Sequence, residues 1–498
     1  MIYVHSLGRA VRYYGEQTAL SIGGKRLTFS ELHNRVERIA AALSRRGLRT
    51  GDRLAVLLPN GPEYIELVYA CSRLGVIVVP LNTRYSSKEI DRVLKDASPR
   101  ALVRHSGVAP PRVKLDWQLV LDEESLDAPN GSCPEVYYGP EAILAMIYTS
   151  GTTGEAKGVM LTHTNVLSNV YYANYWMRHR QGGVYLHAAP IFHSADFPAM
   201  FAAPAFGALQ VAVPRFSPRT FCEAVEKERV THTVLVPTMI AMLTEFTDAR
   251  RFDLNSLEVL AYDGSQLSVE LYRRTRQMLP GVKLVQMYGM TETGFLTGLE
   301  ETEGDVGRLL TSCGRPSPGI DVQVVDPSSG RPVEAGQPGE IVARGGNVML
   351  GYWNHPECTA RAFRNSFFRT GDIGYQDDAG YFFVVDRLKD MIITDGKNVY
   401  CGEVEAVIYE LPAIREAAVF GIPDPNWGEL VTACVVLQPG AALSEEELIR
   451  HCRQSLADFK IPRQVEFRKT DLPKGASGKV LKRTLREHFR SGSDRAVG

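Results

Sequence analysis

From Tyr148 to Val159 the chain reads YTSGTTGEAKGV, a segment dense in groups that bind anions. Gly151, Gly154 and Gly158 permit tight turns, and their missing side chains let backbone N–H groups approach a charged ligand. Thr149, Ser150, Thr152 and Thr153 add hydroxyl donors, and Lys157 adds a positive charge. Such a set suits a polyphosphate. The spacing is not G-x-x-x-x-G-K-[ST], so an ordinary Walker loop is disfavoured. A Ser/Thr/Gly-rich surface turn would share the composition. It would not call for twelve residues of these types between an apolar run, AILAMI, and a downstream helix. No Ser–His or Cys–His pairing marks a protein nucleophile.

These groups need a scaffold, and 498 residues are more than one hydrophobic core organises. Thr28 and Glu31 form a capping-box pair ahead of Leu32, Val36, Ile39 and Leu43, which share one helical face; Gly47 ends that helix. Arg53–Leu58 and Val76–Pro80 read as buried strands on either side of a helix from about Glu63 to Leu74. The pattern resumes at Val184–Ala188, Leu209–Val213 and Val234–Val236, which predicts doubly wound α/β sheets. Between about 315 and 385, short β runs between Gly/Pro turns predict a small β subdomain. Beyond Asp386, strands and a helix capped by Ser444 and Glu447 predict a smaller α+β domain, giving 1–386 and 387–498.

Charge is balanced, 56 basic against 57 acidic residues, with no block of one sign, so bulk attraction to nucleic acid is not supported. The eight cysteines include no C-x-x-C pair and read as reduced residues of a cytoplasmic protein. No window reaches the ~18 apolar residues of a membrane span. Peripheral membrane contact and a homodimer stay open.

YTSGTTGEAKGV resembles the phosphate loop of the adenylate-forming superfamily, which includes acyl-CoA synthetases, adenylation domains of peptide synthetases and beetle luciferases. Further motifs follow in the right order over nearly the whole chain. YGMTET is similar to the adenine and magnesium motif: Tyr288 and Gly289 would meet adenine, Thr291 the α-phosphate, and Glu292, with Thr149, the Mg²⁺. Gly264 and Ser265 in YDGSQL join the nucleotide set. Asp372 in TGD resembles the ribose site, Arg387 in DRLKD a nucleotide-contacting arginine, and Lys389 the hinge between domains. PKGASGKVLKR resembles the motif of the catalytic lysine, here Lys479, in a tail where residues 460–490 hold ten Lys/Arg against three Asp/Glu. The resemblance implies ATP, Mg²⁺ and coenzyme A. The carboxylate of an acid attacks the α-phosphate, the C-terminal domain rotates about Lys389, and Gly396 then lines the path of the thiol.

For the acceptor, PNWGELVTACVV resembles CoA-using aryl-acid ligases. Trp427, Phe459 and Arg84 match CoA-contacting positions, whereas Ile461 stands where that group has arginine. For the acid, His193 in PIFHSADF resembles the substrate-side histidine, with a core histidine as the alternative. Ser194, Phe197, Met200, Met287, Gly289, Phe295 and Leu296 are candidate walls, mostly apolar, as a fatty or aryl acid requires. Asp263 stands where relatives usually have glycine. It would narrow the pocket or favour a polar or cationic acid, or it would turn away to bond the backbone. Cys401 stands where proline is usual, as inert packing or as a redox sensor. Two other readings compete: an adenylate-former serving a carrier protein, and a non-catalytic ATP-binding scaffold. Lys157, Glu292, Asp372, Arg387 and Lys479 together speak against the scaffold.

Overall fold

The computed structural model describes residues 2–107, 111–122, 126, 133–149, 156–300, 310–388, 390–394, 397–424, 427–474 and 480–493. By its contacts the chain forms two compact units, one of residues 1–322 and 343–368, the other of residues 323–342 and 369–498. The junction expected at 386/387 lies inside the second unit.

Two sheets build the first unit. One has nine strands and a parallel middle: Lys283–Met290, Val259–Tyr262, His232–Leu235, Val184–His187, Leu209–Ala212 and Thr18–Ile22, in that order. The other runs parallel through Ile143–Thr149, Ile77–Pro80, Arg53–Leu57, Ala101–Arg104 and Trp117–Val120. Parallel strands need crossover helices, and these cover the faces, so the strands are mostly apolar, with His187, Gln210 and His232 among the buried exceptions. Pro62–Leu74 is one such helix, and Phe29–Arg45, which leads from one sheet to the other, packs against it. The second begins at the expected capping box: Glu31 N–H donates to Thr28 Oγ1 at 3.1 Å, and Thr28 N–H to Glu31 Oε2 at 2.8 Å. Leu32, Val36, Ile39 and Leu43 are buried, and Gly47, at φ +92°, turns the chain away in a conformation that favours glycine.

The β-rich region is a five-stranded sheet, Ile320–Val325, Gly339–Gly345, Phe367–Gln376 and Phe363–Arg364, with Phe382–Arg387 on Phe367–Gln376; the division between units runs through its strands. The second unit also holds an antiparallel pair, Ile414–Asp424 with Gly428–Leu437, on which Gln464–Arg468 lies parallel. The helix Glu445–Ser455 carries the Ser444/Glu447 capping box. No helix among the described residues is long and apolar enough to cross a membrane.

Four histidines, His163, His179, His187 and His232, are buried in the first unit. Burial holds the imidazoles of His163 and His179 down to about 3, and that of His232 to about 4, from an ordinary 6.5. The folded chain therefore refuses protons that the unfolded chain accepts. Stability falls as pH drops from 6.5 towards these values, by up to ~1.4 kcal/mol per pH unit for each group. Neither ring nitrogen of His163 has a hydrogen-bond partner among the described residues, and its ring lies 4.9 Å from that of Tyr138. His163→Phe keeps the ring and removes the unmet polar atoms. Urea denaturation should show about 1–2 kcal/mol of added stability at pH 7 and a shallower loss between pH 6.5 and 4.

Candidate active site

Parallel strands of the nine-stranded sheet end at one edge, and the candidate residues follow those ends. Tyr262 ends its strand, and Asp263, Gly264 and Ser265 come next; Gly264 has φ +82°. His187 ends another, and the segment to His193 follows. That segment is pinned by buried polar groups. Asn60 Nδ2 donates to the carbonyls of His187 and Ala189 at 3.2 and 2.8 Å, and Asn60 Oδ1 accepts from Ile191 N–H at 2.9 Å. Asp196, fully buried, accepts from Tyr185 Oη at 2.5 Å and lies 2.7 Å from His187 Nδ1. The His193 turn is thus tied to both sheets of its unit.

Lys283–Met290 and Gly294–Glu300 form a hairpin with Thr291 and Glu292 at its tip. The tightness of that tip explains two glycines. A Cβ on Gly289 would stand 1.9 Å from the Gly294 carbonyl oxygen, and one on Gly294 would strike the Asn169 side chain at 2.6 Å. Ser194 Oγ and Thr291 Oγ1 lie 2.9 Å apart, which joins the His193 turn to the hairpin tip. Tyr352 Oη donates to Glu292 Oε1 at 2.9 Å, and Lys157 Nζ lies 5.3 Å above the centre of the same Tyr352 ring. Thr149 and Lys157 pair across an antiparallel hairpin, Ile143–Thr149 with Lys157–Thr162. The strand and the downstream helix expected on either side of the loop are Ile143–Thr149 and His163–Met177, and a second strand, Lys157–Thr162, stands between loop and helix. Ser150, Gly151, Thr152, Thr153 and Gly154 lie outside the described residues, as do Lys389, Gly396 and Lys479.

His193 is accessible at the surface, while Phe197, Met200 and Leu296 expose nothing and Met287 and Phe295 almost nothing. Phe197 and Met200 pack in the core and stand behind whatever surface a ligand meets. The surroundings of His193 desolvate its ring, and the charge of Arg84 adds to the effect, so its pKa is lowered and the imidazole is neutral at pH 7. Arg84, expected beside coenzyme A, is thus within electrostatic reach of His193. Asp263 is half-buried and its charge is felt at Tyr185, whose phenol pKa is held well above the ordinary value by burial, then Asp196, then Asp263.

In the second unit, Gly371 at φ +69° sets Asp372, only 2% exposed, against Arg387: Arg387 Nε lies 2.6 Å from Asp372 Oδ1. Thr370 Oγ1 donates to the Ile341 carbonyl at 2.7 Å and accepts from Asp372 N–H at 3.0 Å. Elsewhere in that unit Arg463 lies 4.1 Å over the Trp427 ring, and Lys397 and Lys460 lie 5.1 and 5.8 Å from the centre of Phe459. Arg463, two residues beyond Ile461, escaped the sequence reading, as did Asn60, Asp196 and Tyr352. The signal for Asp196 was present: a carboxylate inside an apolar run needs a buried partner.

Cys401 gains a physical account. Its N–H donates to Asp386 Oδ2, which also takes the Gly402 N–H at 3.4 Å, so Asp386 caps the helix Cys401–Tyr409 from 15 residues upstream. Proline has no N–H to give. The thiol donates to the Asp390 carbonyl at 2.8 Å, and burial raises its pKa, which suppresses the thiolate a redox sensor needs.

Residues 7–353 match a family model described as AMP-binding enzyme, and residues 403–479 match one described as AMP-binding enzyme C-terminal domain. A feruloyl-CoA synthase of an Amycolatopsis species is 40% identical over 488 residues, 97% of this chain and 98% of the relative. A long-chain-fatty-acid–CoA ligase of Bacillus subtilis is 33% identical, over 95% of this chain and 92% of its own. Among solved structures, the o-succinylbenzoate coenzyme A synthetase of Bacillus subtilis in complex with ATP and magnesium superposes with a TM-score of 0.85 at 31% identity, covering 96% and 98% of the two chains.

Proline is tolerated sterically at the first helical position, so Cys401→Pro isolates the missing N–H. Denaturation of that variant should show a loss of roughly 1.5–3 kcal/mol, whereas Cys401→Ala, which keeps the bond to Asp386, should lose under about 1 kcal/mol.

Proposed function

The chain belongs to the AMP-binding enzymes and is an AMP-forming acid–CoA ligase, and from that premise we propose that its acid is a compact aryl acid with a polar ring substituent, of the hydroxycinnamate kind. The reaction uses ATP, magnesium and coenzyme A. A carboxylate oxygen bonds to the α-phosphorus and pyrophosphate leaves; the CoA thiol then takes the acyl group and AMP leaves. The first step brings two anions together, so charge neutralisation and alignment dominate it.

In our reading Lys157 faces the phosphates, and Thr291, steadied by Ser194, donates to the α-phosphate as charge develops there. Glu292 offers a hard carboxylate for magnesium, with Thr149 beside the phosphate loop. No group of three His, Cys, Asp or Glu suited to a metal occurs among the described residues. Such a donor set fits an ion whose shell is completed by phosphate oxygens and water, as magnesium prefers. Bound there, magnesium would neutralise phosphate charge. Asp372, held in place by Arg387, is assigned to the ribose. Lys479, Lys389 and Gly396 keep the roles their motifs imply: adenylation, hinge and thiol path. The free cysteines, six of eight buried, support a cytoplasmic location.

The observation that carries the acid is Asp263. A half-buried carboxylate follows Tyr262 at the end of its strand, near the strand that holds Met287. An alkyl tail would desolvate it with nothing in return, whereas a phenolic hydroxyl donates to it. The greater similarity to a feruloyl-CoA synthase than to a fatty-acid ligase supports the same reading.

Pyrophosphate release with and without CoA, over ferulate, cinnamate, decanoate and hexadecanoate, tests both the ligase and the acid. Ferulate should give the highest kcat/KM, and Asp263→Gly should shift preference about tenfold towards cinnamate and decanoate. A wild-type preference for hexadecanoate would overturn the aryl assignment.

Arg463 on Trp427 supplies the cation missing at Ile461, which supports a CoA nucleotide at that face. Arg463→Ala should raise KM for CoA about tenfold with little change in KM for ATP, measured in the complete reaction.

A further inference from the structure

We propose that Tyr352 is a positioning residue that keeps Lys157 and Glu292 from neutralising each other, offering its ring face to the ammonium and its hydroxyl to the carboxylate. The inference rests on the reading in which those two charges serve the phosphates and magnesium of the nucleotide.

The backbone places Tyr352 between them. Gly351–Tyr352 pairs antiparallel with Lys157–Thr162, Tyr352 opposite Val159. Leu350 N–H donates to the Met160 carbonyl at 3.0 Å and Trp353 N–H to the Gly158 carbonyl at 2.8 Å. Met349 N–H donates to the Glu292 carbonyl at 2.8 Å. Five consecutive residues therefore hold both the strand that starts with Lys157 and the tip that carries Glu292. Gly351, at φ +152°, has no room for a side chain, since a Cβ would meet Thr359 at 2.7 Å; Tyr352 N–H in turn donates to Thr359 Oγ1 at 2.9 Å. The ring is fixed from its own backbone outward.

The side chain then separates the charges. Glu292 Oε1 accepts the phenol proton at 2.9 Å, and the ammonium of Lys157 stands 5.3 Å from the ring centre, within cation–π range. Among the described residues neither charge is in an ion pair; Glu292 meets the Tyr352 hydroxyl, and Lys157 meets the Tyr352 ring and the nearby Cys358 thiol, not the other charge. A lysine and a glutamate in a half-buried recess attract strongly, and a direct pair would hide both from an incoming nucleotide. The phenol stays neutral throughout, because burial, and then Glu292, raise its pKa. A neutral aromatic satisfies each charge weakly and gives it up when phosphate and metal arrive.

The test compares wild type, Tyr352→Phe, Tyr352→Leu and Tyr352→Leu/Glu292→Gln. ATP affinity without magnesium is measured by calorimetry, and ATP–pyrophosphate exchange is followed against magnesium concentration. Phe keeps the ring face, so its ATP affinity should stay within about twofold while the magnesium midpoint rises several-fold. Leu exposes Lys157 to Glu292 and should weaken ATP about tenfold; adding Glu292→Gln should restore most of that loss, since the competing carboxylate is gone. A merely structural tyrosine predicts no such rescue. No recovery in the double variant, or a Phe variant as weak as Leu, overturns the proposal. If the Leu variant does not fold, an unchanged magnesium midpoint in the Phe variant overturns it alone. Wild-type protein that fails to bind ATP would instead refute the nucleotide reading.

Discussion

Parallel main-chain pairing is the constraint from which the site of the first unit follows. His232, Val259 and Lys283 stand side by side in register, and Val184–His187 joins them through Tyr185 opposite His232. Parallel strands in register end at the same edge. Every loop that leaves such an edge begins from a position fixed by backbone hydrogen bonds, so three stretches far apart in sequence deliver His193, Asp263 and Thr291 to that edge, with Met287 in the strand that leads to Thr291. No side-chain contact has to assemble them. The side chains refine what the sheet has placed, as the 2.9 Å contact between Ser194 and Thr291 does.

The elements were legible in the sequence because local patterns determine them. Thr28 with Glu31 and Ser444 with Glu447 form their capping boxes as read, since those bonds span three residues and need no tertiary help. Continuous apolar runs became parallel strands for a similar reason: both faces are covered. The order of elements around the phosphate loop was harder. Lys157 opens a strand because the edge of the seven-stranded sheet accepts an antiparallel partner, and Gly351–Tyr352 then pairs on its far side. Nothing within YTSGTTGEAKGV announces a partner nearly two hundred residues away.

The residues that escaped the sequence reading act over long separations. Asn60 reaches His187, Asp386 reaches Cys401, Arg463 reaches Trp427, and Tyr352 reaches Lys157 and Glu292. Each is an ordinary polar or aromatic residue in its own segment. Its meaning depends on which backbone the fold brings beside it. Motif residues declare themselves through composition, whereas the residues that hold them steady do not, because a single phenol or amide has many equivalent uses.

Those supporting groups carry a cost in stability. Buried polar atoms destabilise a fold unless paired, and the network behind His193 shows the pressure: Asp196 is met by Tyr185 and His187, His187 by Gln210 at 3.1 Å, while the Gln210 amide nitrogen finds no partner among the described residues. An apolar core of the same volume would be more stable but would leave the turn carrying His193 free to choose among conformations. Asn60 and Asp196 remove that freedom from two sides, one through the backbone at Ala189 and Ile191, the other through the strand that ends at His187. The stability given up behind the turn is thus the condition for holding the His193 ring and the Ser194–Thr291 hydroxyl pair in one geometry.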